Sequence, residues 1–548
     1  KRLDLFELTV IRPAINVIVD RDGHTNIPAA RTQGERTPQT FQVSIENLNV
    51  VDGAAILNEQ RIDLEFSLTN LQSMMSYHSA REVLETHFSY DGIFDRSPEL
   101  RPSIPYTLSA DMDYTRDTLV AHQIVVDAGK SQVKLQGKIN NIVSKGIAGK
   151  LEYTGNVEVA MLNYFFRKEQ FAGTAGVAGF LEFSPGYFFT RGNAGSDAVD
   201  FQGWHATKLA GEYSYHYPDR RLSFRNFKTT LIDGAVTGNV VVEQLPGPSR
   251  VRLDIDYNGV DGAALARAYP WDPKYRIFSR LTGNLDGWFE GKLTDYDFSG
   301  HANLSPYSPP DTTNIVALPL EGSTDHRLRP DEANISNGDM RFYSTNVMGS
   351  GVIHAKASNL MVTMASSNLK DLSFLYADAN GSGTFNGSFT GPISTPVLAG
   401  DFTLQNYKYQ QWTLQNAQGG VGLDTAVENV EFHNVRVTQG QSQATVDGTI
   451  ALSGKPANLR VQSNRITGED LRALVNRNID AVLSGNVLIT SLSPARLEGD
   501  VRVQNSTVNN YKLGDVSGHV RYFEPVVEVD RSIEVRCTPE QRRHSHLR

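Results

Sequence analysis

Arg250-Val251-Arg252-Leu253-Asp254-Ile255-Asp256-Tyr257 alternates apolar and charged residues without a break. A period of two places Val251, Leu253, Ile255 and Tyr257 on one side of an extended chain and Arg252, Asp254 and Asp256 on the other, the pattern of a strand with one buried face. The same alternation continues through Phe41-Val43-Ile45, Leu64-Phe66-Leu68 and Val133-Leu135, each interleaved with polar residues. Helical periodicity is confined to three short stretches, 262–268, 371–376 and 469–475, each preceded by Asp, Asn or Gly in a capping position. The 46 glycines punctuate the rest, at the intervals of roughly 8 to 12 residues typical of all-β architectures. The chain reads as all-β with a few short helices.

Strands of one type, repeated, raise the question of a longer period. An apolar-x-Gly element recurs as Phe201-Gln202-Gly203, Phe298-Ser299-Gly300, Leu398-Ala399-Gly400 and Leu497-Glu498-Gly499, each about 100 residues after the last. Gly283, Gly383 and Gly485 keep that step, as do Leu265, Leu372 and Leu471 in the helical stretches. The segment Gly400-Asp401-Phe402-Thr403-Leu404-Gln405-Asn406 also matches Gly499-Asp500-Val501-Arg502-Val503-Gln504-Asn505. The expected organisation is a β region over 1–170 and an array of β repeats over 171–528, divided at 171–270, 271–380, 381–482 and a partial 483–528. After Asp530 the alternation stops, and the basic tail 529–548 is expected to lack structure.

Composition excludes several functions. A chain of 548 residues with 40% hydrophobic and 21% charged residues folds, and its net charge of -9 leaves no basic footprint for nucleic acid. The single cysteine, Cys537, builds neither a disulfide framework nor a thiolate metal cluster. No apolar run reaches the roughly 18 residues of a membrane span. Because Lys1 leads straight into a strand-like stretch, the chain reads as cut from something longer, with an anchoring or targeting segment expected upstream.

Candidate chemistry is sparse. Asp254-Ile255-Asp256-Tyr257-Asn258-Gly259 fits the first six positions of a calcium loop, but Leu265 stands where the bidentate Glu belongs, so the segment reads as a polar strand face entering a turn. Asp111, Asp113 and Asp117 fail likewise, with Arg116 at the glycine position and His122 at the end. His205, His216, Asp219 and Glu212 have the residue types of a metal or acid–base site, yet an odd separation is expected to send the two histidines to opposite faces. Trp204, Trp271, Trp288 and Trp412 read as core or interface residues. Neither a nucleophile elbow, nor a His-Glu-x-x-His helix, nor a phosphate-binding loop occurs. No catalytic, cofactor-binding or metal-binding residue is assigned.

Three stretches carry a resemblance. Arg12-Pro13-Ala14-Ile15-Asn16-Val17-Ile18-Val19-Asp20-Arg21-Asp22-Gly23-His24-Thr25-Asn26-Ile27 resembles the strand and Asp-Gly-x-x-Asn turn near the start of AsmA-like envelope proteins. Asn47-Leu48-Asn49-Val50-Val51-Asp52-Gly53-Ala54, with Ile62-Asp63-Leu64-Glu65-Phe66 and Leu68-Thr69-Asn70-Leu71, is similar to their next hairpins. Gly391-Pro392-Ile393-Ser394-Thr395-Pro396, ahead of Leu398-Ala399-Gly400, resembles the repeats of the TamB family, the translocation and assembly module type. The resemblance extends to about Tyr522.

It implies an elongated repetitive sheet curled into a groove, the β-taco, whose apolar lining shields phospholipid acyl chains between the two membranes of a Gram-negative envelope. It further implies a periplasmic, non-enzymatic protein in outer-membrane biogenesis, held to the inner membrane by an N-terminal anchor. A C-terminal domain would engage an outer-membrane assembly protein. On this chain the groove-lining candidates are Val133, Leu135, Ile139, Val240, Val242, Val251, Leu253, Ile255, Phe402, Leu404, Val501 and Val503. The alternative is an extracellular β-solenoid adhesin or a carbohydrate-binding or carbohydrate-cleaving protein, which would show aromatic platforms and paired carboxylates in place of a continuous apolar lining.

Overall fold

The computed structural model describes residues 2–19, 26, 42–59, 64–95, 104–142, 146–164, 171–201, 203–244, 250–268, 275–290, 295–308, 316–373, 379–392, 394–409, 412–451, 456–470, 479–492, 494–508, 511–523, 526–529 and 534–536. The chain is all-β, and nearly every strand pairs antiparallel with the next in sequence. The exceptions open the chain: Arg2–Ile11 and Ala14–Val19 both run parallel to Gln42–Glu59. Contacts divide the molecule into two compact units, Lys1–Val260 with Leu285–Asp295, and Asp261–Asn284 with Tyr296–Arg548.

A helical turn interrupts the strands once in six. Val159–Tyr164 is followed by six strands, from Phe171–Ser184 to Arg250–Asp261, and then by the helix Gly262–Ala268. Six long strands lead on to the 3-10 turn Leu369–Leu372, and six more, from Ser382–Gly391 to Ala457–Thr467, lead to helical residues 468–470. Of the three expected helices, 262–268 therefore forms in full. The second starts two residues early and is seen only to Ser373, whereas 471–475 lie outside the described residues. Within the second unit an even number of strands separates Leu369–Leu372 from 468–470, which returns the two to the same end of their strands, because antiparallel neighbours alternate direction.

Two further residue series follow this rhythm. Tight turns at Gly129, Ile232-Asp233, Tyr343 and Gly440 adopt positive φ between 51° and 60°. They deliver Ser131, Gly234, Thr345 and Ser442 to the first position of the returning strand, in keeping with the right-handed twist of a hairpin. A few residues on, Gly137, Gly238, Gly351 and Gly448 hold φ between 123° and 149°. A β-carbon at Gly448 would sit 2.0 Å from the Asn458 carbonyl oxygen, so the strands approach there as only glycine allows.

The glycine register read from the sequence needs one correction. Gly300, Gly400 and Gly499 lie within strands, but Gly203 (φ 84°) sits in the turn between Tyr187–Phe201 and Trp204–Tyr217 with open space around it. The basic tail is likewise not wholly irregular: Glu534–Arg536 pairs with Asp515, Val516 and Ser517. Residues 537–548, Cys537 among them, lie outside the described residues.

Burial follows the alternation. In Arg250–Asp261 the residues Arg252, Asp254, Asp256 and Asn258 are exposed, while Val251, Leu253, Ile255 and Tyr257 are half-buried. Among the described residues the largest side chains below 2% exposure are Thr345 and Ser279. The apolar side chains thus share one face that is mostly half-buried, with a few large residues such as Phe227, Phe278 and Phe342 buried at 5 to 8% exposure.

Candidate apolar surface

The candidate site is the half-buried face. In the first unit, cross-strand partners form an unbroken row: Val10, Val50, Ser73, Phe88, Ala110, Ile124, Leu135, Tyr153, Gly179, Gly192, Tyr213, Phe224, Val240 and Leu253. Three sequence-predicted residues, Leu135, Val240 and Leu253, fall in this row. A parallel row holds Leu151, Leu181, Thr190, Tyr215, Leu222, Val242 and Val251. Val133 and Ile255 belong to the next row, and Ile139 to the row at the strand ends. Of these predicted residues only Val242 is buried, at 9% exposure.

The second unit, taken by itself, repeats the arrangement. One row runs Gly338, Gly349, Val362, Gly387, Gly400, Val421, Phe432, Gly448, Leu459, Ile489, Leu497 and Tyr522. Phe402 stacks in register with Phe385 and Met364, and Leu404 with Gly383 and Ala417. Val501 stands opposite Gly485, and Val503 between Leu483 and Val516. All four predicted residues are half-buried on this face.

Polar groups on the apolar face are few: the Ser73 hydroxyl is buried without a hydrogen-bond partner, whereas the tyrosines bond one another. In the first unit the hydroxyls of Tyr213 and Tyr153 bond each other, Tyr153 reaches Thr190 Oγ1 at 2.7 Å, and Thr190 donates to the Phe180 carbonyl at 3.1 Å. Every proton in that chain is used. Burial pushes the Tyr213 phenol above its ordinary value of 10.0, as it does Tyr90 beside Tyr106, so these phenols stay neutral. In the second unit His326 is half-buried opposite Gly300, and desolvation holds its imidazole below 6.5.

Charge is kept to the opposite face. His205 pairs with Asp200 at 2.7 Å, His216 with Asp219 at 2.7 Å, and Glu212 with Arg191 at 2.9 Å. Both histidines are solvent-accessible, at 63% and 36% side-chain exposure, which corrects the parity argument. Lys208 between them is left-handed (φ 54°), and half-buried Ala206 and Thr207 stand side by side where the alternation slips. His301 and Asp325 meet at 2.7 Å, and Arg327 and Arg329 both grip Asp297, at 2.7 and 3.3 Å. Among the described residues no three His, Cys, Asp or Glu side chains converge on a metal position. Asp254 instead accepts from Asn239 at 3.3 Å.

Of the tryptophans, Trp288 lies under the Arg250 guanidinium, 4.5 Å from the ring centre, and Trp204 is half-buried. Trp271 and the side chain of Trp412 lie outside the described residues. The turn 20–25 does too, but Asn26 bonds back to the preceding strand, accepting from Ile18 N and donating to the Asn16 carbonyl, both at 2.8 Å. No described helix is long and apolar enough to cross a membrane. Compared with protein families and with curated proteins, the chain matches no family model and no curated relative.

Proposed function

We propose that the apolar face lines a groove that carries phospholipid acyl chains, and that the chain is a non-enzymatic, periplasmic component moving lipid between inner and outer membranes or supporting outer-membrane protein assembly. The observation that carries this reading is the row from Val10 to Leu253, largely apolar across consecutive strands and half-buried apart from Ser73 and Ala110, each at 7% exposure. Such a surface costs free energy in water at roughly 25 cal/mol per Å² left exposed, so an apolar ligand is its natural complement. The satisfied tyrosine chain and the absence of charge from the row favour hydrocarbon over a sugar, whose hydroxyls need free donors and acceptors. The inner-membrane anchor and the outer-membrane partner belong to this reading through the family resemblance. Organic extraction of the purified chain followed by mass spectrometry tests it: phospholipid in a fixed ratio to protein is expected, and protein that is lipid-free after expression in a Gram-negative host contradicts it.

A further inference from the structure

Along the strands of the first unit the two ends of the apolar face differ: one holds the helical turn beside the ring pair Phe171 and Phe201, 4.8 Å apart, and the other holds hydroxyl-bearing tyrosines. At one end, Ser131 is buried at 6% exposure, accepts from Glu158 N at 2.8 Å and lies 3.5 Å from Met161 Sδ in the helical turn Val159–Tyr164. Asn163 fastens that turn to the next strand, donating to the Phe171 carbonyl at 3.0 Å and accepting from its N–H at 2.9 Å. The middle of the strands carries Val133, Leu135, Leu151 and Leu181. At the far end the row becomes aromatic, with Tyr77, Tyr114, Phe183, Phe188 and Tyr217 in cross-strand register through Leu84, Leu119, Ile139 and Gly149. Tyr77, Phe188 and Tyr217 are 44%, 36% and 41% exposed. Just beyond, the turns carry both signs of charge, in the pairs Arg81–Glu85 at 2.9 Å and Arg116–Glu82 at 3.1 Å.

We infer that a phospholipid lies on this face with its tails toward the Val159–Tyr164 turn and its headgroup at the tyrosine-bearing strand ends. This rests on the acyl-chain reading above and specifies the side of entry. The sequence closed, apolar, aromatic, charged matches terminal methyl, acyl chain, glycerol level and headgroup. Amphipathic rings favour the glycerol level, as they do at membrane interfaces. Length fits as well: from Ser131 to Ile139 the strand spans roughly 26 Å at about 3.3 Å per residue, enough for acyl chains that fill half of a hydrocarbon core about 30 Å thick. Entry from the other end would have to displace a helical turn fastened to its neighbours by three contacts, one from Met161 and two from Asn163.

The test is photo-crosslinking of the full chain with phosphatidylcholine bearing a diazirine either on the choline headgroup or at the end of an acyl chain, with labelled peptides mapped by mass spectrometry. The headgroup probe is expected on 77–82 and 217–221 at least about tenfold over 129–131, and the tail probe on 131–135 and 151–161. A headgroup probe that labels 129–131 as strongly as 217–221 overturns the orientation, even where the tail probe still marks Leu135. A tail probe that avoids the apolar-face peptides overturns the acyl-chain reading and the orientation with it.

Discussion

Tyr153 and Tyr213 join their hydroxyls across the backbones of Gly179 and Gly192, which stand between them in cross-strand register. Two rings thus span four strands because the two intervening positions have no side chain. A β-carbon at Gly192 would lie 2.3 Å from the Ala178 carbonyl oxygen, and one at Gly179 would lie 2.3 Å from that of Arg191.

Removing one hydroxyl and adding one methyl are therefore expected to differ. Tyr213→Phe takes away one bond at the end of the chain and should cost about 1 kcal/mol. Gly192→Ala forces neighbouring backbones apart and should cost about 3 kcal/mol or more. Chemical denaturation of both variants measures this, and a Tyr213→Phe loss equal to or above that of Gly192→Ala would refute the packing described.

The 3-10 turn Leu369–Leu372 is tied to the hairpin at Ser344-Thr345 through one carboxylate. Asp371 Oδ2 accepts from Ser344 N at 2.8 Å and Ser344 Oγ at 2.6 Å, and lies 3.0 Å from the fully buried Thr345 hydroxyl. Asp371→Ala removes the acceptor of the Ser344 N–H and hydroxyl, while Thr345 keeps Ser366 Oγ at 2.8 Å, and should destabilise the turn by about 1 to 3 kcal/mol. Amide hydrogen exchange should accelerate at Leu369–Leu372 while the strands Asn429–Gln439 and Ser442–Ala451 keep their protection. Unchanged exchange at the turn would show that apolar contacts alone hold it.

His301 and His326 occupy neighbouring cross-strand pairs on opposite faces, and their titrations should diverge. The Asp325 carboxylate raises His301 above 6.5, whereas burial holds His326 below it. Linkage gives the signs: His301 stabilises the fold below pH 6.5 and that contribution is lost as pH rises through its raised value. His326 makes no demand above pH 6.5 and lowers stability as pH falls through its depressed value. Imidazole resonances assigned with His301→Gln and His326→Gln should titrate in that order, and the reverse order would place His326 in water.

Strand identity was legible in the sequence because alternation reports directly on a sheet with one apolar face; of the twelve residues expected to line a groove, eleven are half-buried and Val242 is buried. The period near 100 was visible through glycines, but not all for the right reason: Gly203 matches in spacing while occupying a turn. The stronger series, Gly137, Gly238, Gly351 and Gly448, was there to be found, since each meets a neighbouring carbonyl. The helix Val159–Tyr164 escaped because it is only six residues of 3-10 helix with no acidic residue at its start. The His205 and His216 argument failed at Lys208, whose left-handed backbone no alternation rule anticipates.

The central claim is that the row through Leu135 and Leu253 faces hydrocarbon and not a packed protein core. Leu135→Asp and Leu253→Asp place a charge there, and the exposed Lys134→Glu serves as the control on the other face. Titration of the purified chains with a fluorescent phospholipid, alongside far-UV circular dichroism, decides it. Binding should weaken by about a hundredfold or more, equivalent to about 2.7 kcal/mol, in both Asp variants, with wild-type strand content and with Lys134→Glu unaffected. Full binding in the Asp variants, or a collapse of the dichroism signal along with binding, would contradict it.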